Sequence, residues 1–169
     1  MREYEYMTCV WVCVCVCVDS SAWVCGLLSI GTCGTWSSKC DDGWTQFNGR
    51  CFYYVAEPMT WAKAEANCVS LGGHLASVHN FMEYCRLERL ILSISHEEKE
   101  TWIGGTDAQK EGHWIWSDGT TFQYTNWCPR EPNNKGGHQH CLEINYSDGK
   151  CWDDVGCNVK RPSVCAKNM

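Results

Sequence analysis

The sequence has no block of Lys or Arg. Its fourteen basic residues are scattered among twenty acidic ones, giving a formal charge of -6 and a pI near 5.5. Proteins that grip nucleic-acid phosphates gather Lys and Arg on one face, so no nucleic-acid partner is expected. No apolar run is long enough to span a bilayer. Paired CxxC steps with the spacing of zinc fingers or ribbons are absent. No arrangement of a nucleophile and its base stands out, so the chain is not expected to be an enzyme.

Cysteine, by contrast, is abundant, with fifteen in 169 residues. In a reducing cytosol these thiols would be a reactive burden, whereas in an oxidising compartment they become crosslinks. The expected location is therefore secreted and extracellular. The excess of acid suits a hard cation, which takes oxygen ligands. His138, His140 and Cys141 lie close together, but read better as a disulfide cysteine flanked by solvated histidines than as a zinc group. His113 is also read as a solvated loop residue.

Residues 1–39 differ in texture from the rest. The run from Cys9 to Val18 alternates cysteine with valine almost throughout. As a strand it would set cysteines on one face and valines on the other, which serves no packing purpose. Two readings are open. Either this segment, or the apolar stretch Ala22 to Ile30, is signal-like; or the alternation is a translated TG repeat, an artefact of the gene model. Either way, residues 1–39 are excluded from the fold. Six cysteines go with them, and nine remain in a domain spanning 40–169.

Within that domain, Trp61 to Cys68 is built from helix formers, with Thr60 as N-cap and Ala62, Ala66 and Val69 on one stripe. A second helix is expected from Asn80, with Glu83 three residues on as a capping-box variant. Leu87, Leu90, Ile91 and Ile94 recur at helical spacing and should face the core. After Glu100 the pattern changes to short strands broken by Gly, Asp and Asn. Leu142, Ile144 and Tyr146 alternate up to Asp148-Gly149, a hairpin signal, and Cys151-Trp152 returns from it. Two helices followed by strands indicate an α+β domain. Trp114 and Trp116 could stack on a sugar, but a core role fits this strand better.

Geometry suggests three cysteine pairs. Cys141 and Cys157 flank Asp148-Gly149 nearly symmetrically. Cys40 and Cys51 bracket a segment with Asn48-Gly49 near its end. Cys68 and Cys165 would tie the first helix to the far end of the chain.

Taken together these features carry a resemblance. Cys40, Gly43-Trp44, Cys51-Phe52, Cys68 and the run from Gly73 to His79 occur in order. They are followed by Trp102-Ile103-Gly104-Gly105, Glu131-Pro132-Asn133, Cys141, Trp152-Asp153-Asp154, Cys157 and Cys165. From Cys40 to Lys167 the chain resembles the C-type lectin-like domain. The resemblance implies the same three disulfides. The contexts of Cys128 and Cys151 resemble the extra pair of fish lectins and fish type II antifreeze proteins. Cys85 is then left over, equally open to a link between two chains and to simple burial in the second helix.

The resemblance also implies a calcium site. By position its ligands are Glu131, Asn133, Gln139, Asp153 and Asp154, and a sugar would meet Glu131, Asn133, Gln139 and Asp153. Here Gln139 stands where the family carries an acid and Asp153 where it carries an amide, so each keeps an oxygen and the formal charge is unchanged. The implied partner is a glycan held through two vicinal hydroxyls on Ca2+. The Glu131-Pro132-Asn133 order favours mannose, GlcNAc or fucose, with a cis bond before Pro132. Oligomers would add avidity, and innate recognition of microbial glycans is the role that fish relatives suggest. The alternatives are an ice-binding protein of the type II antifreeze kind and a lectin-like module that binds protein. Asn145-Tyr146-Ser147 is an N-glycosylation sequon, either occupied or unused within a tight hairpin.

Overall fold

A computed structural model of the chain describes residues 40–169 in full and the backbone of residues 16–19 and 22–24. The chain divides into two units, Met1–Ser38 and Lys39–Met169. In the first, strands β1 (Val16–Asp19) and β2 (Ala22–Val24) pair antiparallel. The signal-like and translated-repeat readings concern residues that otherwise lie outside those described. Among the described residues no helix is long and apolar enough to cross a membrane.

The second unit runs β3 (Thr45–Phe47), β4 (Arg50–Met59), α1 (Trp61–Ser70), β5 (His74–Leu75), α2 (Phe81–Ser95) and β6 (Thr101–Thr106). It continues with β7 (Ile115–Trp116), β8 (Cys141–Tyr146), β9 (Cys151–Val155) and β10 (Arg161–Asn168). The main sheet has the order β3-β4-β10-β6-β8-β9, with β5 beside β10 and β7 beside β6. Strand β10 lies antiparallel to β4, with Val164 opposite Tyr54, so the two ends of the domain meet in the sheet. The β3–β4 turn, Asn48-Gly49, has both residues at positive φ (52° and 74°), the turn that this pair prefers. A Cβ on Gly104 would stand 2.7 Å from the Leu75 carbonyl oxygen, and one on Gly105 2.6 Å from Leu142. The two glycines therefore let β6 pack against both neighbours.

Helix α1 forms where expected but is rotated from the predicted stripe. Ala64 and Cys68 are buried, whereas Ala62, Ala66 and Val69 are exposed, and Thr60 makes no side-chain cap. The Cys68–Cys165 bond and the Trp61 Nε1 bond to the Ile103 carbonyl (2.9 Å) fix which face turns inward. At α2, Asn80 accepts from the Glu83 N–H at 2.9 Å, while the Glu83 carboxylate reaches back past the cap to the His79 N–H at 2.8 Å. Leu87, Leu90 and Ile91 are buried, but Ile94 is half exposed, on the final turn of the helix.

Strand β8 departs from simple alternation. Leu142 and Ile144 are buried, but so are Glu143 and Asn145, because β8 lies between β6 and β9. The Asp148-Gly149 hairpin is present, with the Lys150 N–H returning to the Ser147 carbonyl; the left-handed residues are Ser147 and Lys150 rather than the central pair. Trp116 and Trp152 are fully buried and meet edge to face with ring centroids 5.8 Å apart. Trp114 packs half-buried against Trp127, in keeping with a core role.

Cys40–Cys51, Cys68–Cys165, Cys128–Cys151 and Cys141–Cys157 are all bonded. By closing a separation of 97 residues, Cys68–Cys165 removes the most freedom from the unfolded chain. Cys85 is buried on α2 and is disulfide-bonded.

Candidate cation and ligand site

Strand β9 carries the site, and the chain on either side of the long loop before β8 is fastened to it. At one end, Trp127 bridges to Trp152, the Cys128 N–H donates to the Trp152 carbonyl at 2.9 Å, and Cys128 is bonded to Cys151. At the other end, Cys141 pairs with Val155 in the β8–β9 ladder and is bonded to Cys157. Residues 129–140 therefore hang as a closed loop over Asp153 and Asp154. The bond between Glu131 and Pro132 within it is cis.

This arrangement gathers carboxylates. Glu131, Asp153 and Asp154 each present an oxygen within 4.8 Å of the others. Glu131 Oε2 and Asp153 Oδ1 are buried without a hydrogen-bond partner. Asp154 is 1% exposed and accepts the Asn133 N–H at 2.8 Å and the Asn134 N–H at 2.7 Å. Asp153 also lies opposite Glu143 across the ladder, and Arg161 neutralises Glu143 through a 2.7 Å bond. Like charges placed so closely raise each other's affinity for protons. Burial, and then the charges of Glu131, Glu143 and Asp154, push the Asp153 carboxyl up to about 7. Burial and Asp154 likewise raise Glu131.

The two amide residues sit beside this cluster. Asn133 Oδ1 and Gln139 Oε1 both accept the Lys135 N–H, and the Gln139 N–H donates to Asn134 Oδ1 at 2.9 Å. The structure thus unites three of the five expected ligands, Glu131, Asp153 and Asp154. It places Asn133 and Gln139 on the adjoining turn of the loop, their oxygens converging on one backbone donor.

A hard divalent ion fits this donor set. Calcium binds six to eight oxygens from carboxylates, amide carbonyls and water, and a buried carboxylate oxygen with no donor is costly unless a cation meets it. Glu131, Asp153 and Asp154 would hold such an ion, with Asn133 and Gln139 completing the side facing the loop. Bound there, it would supply positive charge and open coordination positions.

A second group went unrecognised in the sequence. His140 Nδ1 lies 3.1 Å from Asp107 and 3.4 Å from Glu111, and Glu111 accepts from the Asn134 amide. His140 is therefore half-buried between two acids, not a freely solvated loop residue. The only sequence signal was Asp107 and Glu111 four residues apart across a turn, far from His140. Ser77, His79 and Asp118 also cluster, but Ser77 is fully buried and Asp118 bonds the Ser77 hydroxyl rather than the histidine. Together with Arg50 and Glu83 they lock the segment before α2 to β4. Asn145, in the sequon, is 3% exposed, and its amide nitrogen donates to the Lys99 carbonyl at 3.0 Å.

The unit is a disulfide-stapled α+β domain whose long loop closes over two adjacent aspartates of β9. Residues 57–167 match the lectin C-type domain, and the chain belongs to that family. It is 45% identical over 133 residues to the galactose-specific lectin nattectin of Thalassophryne nattereri, covering 79% of this chain and 83% of that protein. The structure of herring type II antifreeze protein matches with a TM-score of 0.72 and 36% identity, over 77% of this chain and 99% of that one. A calcium-independent type II antifreeze protein matches with a TM-score of 0.67 and 43% identity, over 76% and 94% of the two chains. The family's lectins bind carbohydrate, and its antifreeze members share the scaffold.

Proposed function

We propose that this chain is a secreted, calcium-dependent lectin that holds glycans through a vicinal hydroxyl pair at Glu131, Asn133, Gln139, Asp153 and Asp154. One observation carries the reading: two buried carboxylate oxygens, on Glu131 and Asp153, face a third carboxylate with no donor to satisfy them. Ca2+ satisfies them and leaves positions for sugar hydroxyls, which also exchange hydrogen bonds with Glu131 and Asn133. The Glu131-Pro132-Asn133 order supports a mannose, GlcNAc or fucose preference; the galactose-specific relative makes galactose the natural competitor. The disulfides support an extracellular setting, and innate recognition of microbial glycans is the biological role in view.

The test is retention of the full chain on mannose-agarose and galactose-agarose, in calcium and then in EDTA. Retention on mannose with release by EDTA is the expected result. Retention on galactose alone would replace the sugar class, and retention that ignores EDTA would remove the ion. The second reading, ice binding, draws on the antifreeze structures that share the scaffold. Thermal hysteresis in a chain that neither column retains would favour it.

A further inference from the structure

The turn that delivers Glu131 to the site carries an unusual residue. The Glu131 N–H donates to the Cys128 carbonyl at 2.9 Å, closing a turn with Pro129 and Arg130 at its centre. Arg130 has φ 79°. Proline second and a positive φ third is the pattern of a type II turn, whose third position favours glycine because a side chain there is strained. The Cys128–Cys151 bond fastens the start of the turn to β9 and leaves it no easy way to relax.

The arginine held there is exposed and, among the described residues, makes no ion pair. Although next to Glu131 in sequence, it does not neutralise any of the three carboxylates. Lys135, also exposed and also without an ion pair, lies beyond Asn133 on the same loop, its backbone N–H held by the oxygens of Asn133 and Gln139. An acidic site is thus flanked on both sides of its loop by cations that the protein does not use internally. Strained residues of this kind concentrate where a ligand is met.

We propose that Arg130, assisted by Lys135, is a specificity-determining residue that favours glycans bearing an anionic substituent, a sulfate or carboxylate, beside the hydroxyl pair. This rests on the calcium-lectin reading above. The ion takes the hydroxyls and offsets the three carboxylates, which would otherwise repel an anion. The planar guanidinium then pairs with the sulfate or carboxylate through two parallel hydrogen bonds, a geometry that an ammonium cannot offer. Because the contact is exposed, added salt weakens it.

The test measures binding of the full chain, in calcium, to a neutral oligosaccharide and to its monosulfated and uronic-acid counterparts, at low and high salt. The wild type should prefer the anionic members by about tenfold at low salt, equivalent to one modest charge-assisted contact, and the preference should shrink as salt rises. In Arg130→Gln the anionic-to-neutral ratio should fall to about unity, and Lys135→Gln should lower it partway. Arg130→Gly should lose the ratio as well and melt at a higher temperature, since glycine suits the turn. An unchanged ratio in Arg130→Gln, or neutral binding with no anionic preference in the wild type, overturns the assignment. If no sugar binds in calcium, the lectin reading fails and this inference falls with it.

Discussion

Asp154 holds down the loop it faces, its two oxygens gripping the backbone N–H groups of Asn133 and Asn134. The residue therefore has two tasks, ordering the loop and supplying charge to an ion, and two substitutions separate them. Asp154→Ala leaves both N–H groups without their acceptor and should cost about 2–3 kcal/mol even in EDTA, the range for hydrogen bonds to a charged group. Asp154→Asn keeps one acceptor and should cost less, yet both variants should lose calcium-dependent retention. Urea unfolding in EDTA gives the first comparison. Equal stability losses in the two variants would mean that charge, not loop anchoring, is what Asp154 contributes.

Asp153 works in the opposite direction. It lies beside Glu131, across from Glu143, and its carboxyl is pushed up to about 7. An acid whose folded value exceeds its unfolded value near 4 makes the folded state weaker as pH rises from about 4 through 7. Without calcium, Asp153→Asn should therefore be more stable than wild type at pH 8 and no different at pH 4. In calcium the same variant should bind the ion more weakly, by tenfold or more in order of magnitude, because a charged ligand has become a neutral one. Unfolding curves at the two pH values, with and without calcium, check both halves. A variant less stable than wild type at pH 8 in EDTA would show that Asp153 is already satisfied without a cation.

The sequon residue provides a test of the fold itself. Asn145 has φ 64°, is buried, and donates its amide to the Lys99 carbonyl, so in the folded domain the nitrogen that would carry a glycan is in use. A chain passed through a glycosylating secretory pathway is expected to carry no glycan at Asn145. Asn145→Ala should destabilise by about 1–2 kcal/mol, from the lost hydrogen bond together with a left-handed conformation that asparagine tolerates better. A glycan found on Asn145 by peptide mapping would mean that this strand is not packed as described.

The fold was legible because its signals are local or covalent. The Asn48-Gly49 hairpin, the cysteine pairs and the double glycine of β6 each state their own requirement. Facing directions were less legible. The Ala62, Ala66 and Val69 stripe had reasonable helical spacing, but a distant disulfide to Cys165 decided which side of α1 turned inward. Alternation along β8 failed at Glu143 and Asn145, because Arg161 and the Lys99 carbonyl, far apart in sequence, make their burial tolerable. At the site, the family resemblance pointed to Glu131, Asp153 and Asp154, and the fold brings their carboxylates together. His140 was missed because its partners, Asp107 and Glu111, come to it only through the β6–β8 pairing.

Glu88 is a half-buried acid away from the site that should leave a signature of its own. It lies on α2 near Tyr84, whose hydroxyl donates to the Lys150 carbonyl in the hairpin leading into β9. Burial pushes the Glu88 carboxyl up to about 7, with the charge of Glu98 adding to the rise and the Tyr84 hydroxyl and Lys150 opposing it. The sign is the same as for Asp153: the folded value lies above the unfolded one near 4.3, so stability is lost as pH rises from about 4 through 7. Glu88→Gln is neutral throughout and escapes that loss. In an Asp153→Asn background, which removes the other acid pushed up to about 7, the added substitution should be near neutral at pH 4. At pH 8 it should stabilise by about 1–2 kcal/mol, a figure already discounted for the part of the side chain that water screens. Urea midpoints across that range measure the difference. Parallel pH profiles for the single and double variants would place the remaining titration elsewhere and leave Glu88 ionised in the folded protein at ordinary pH.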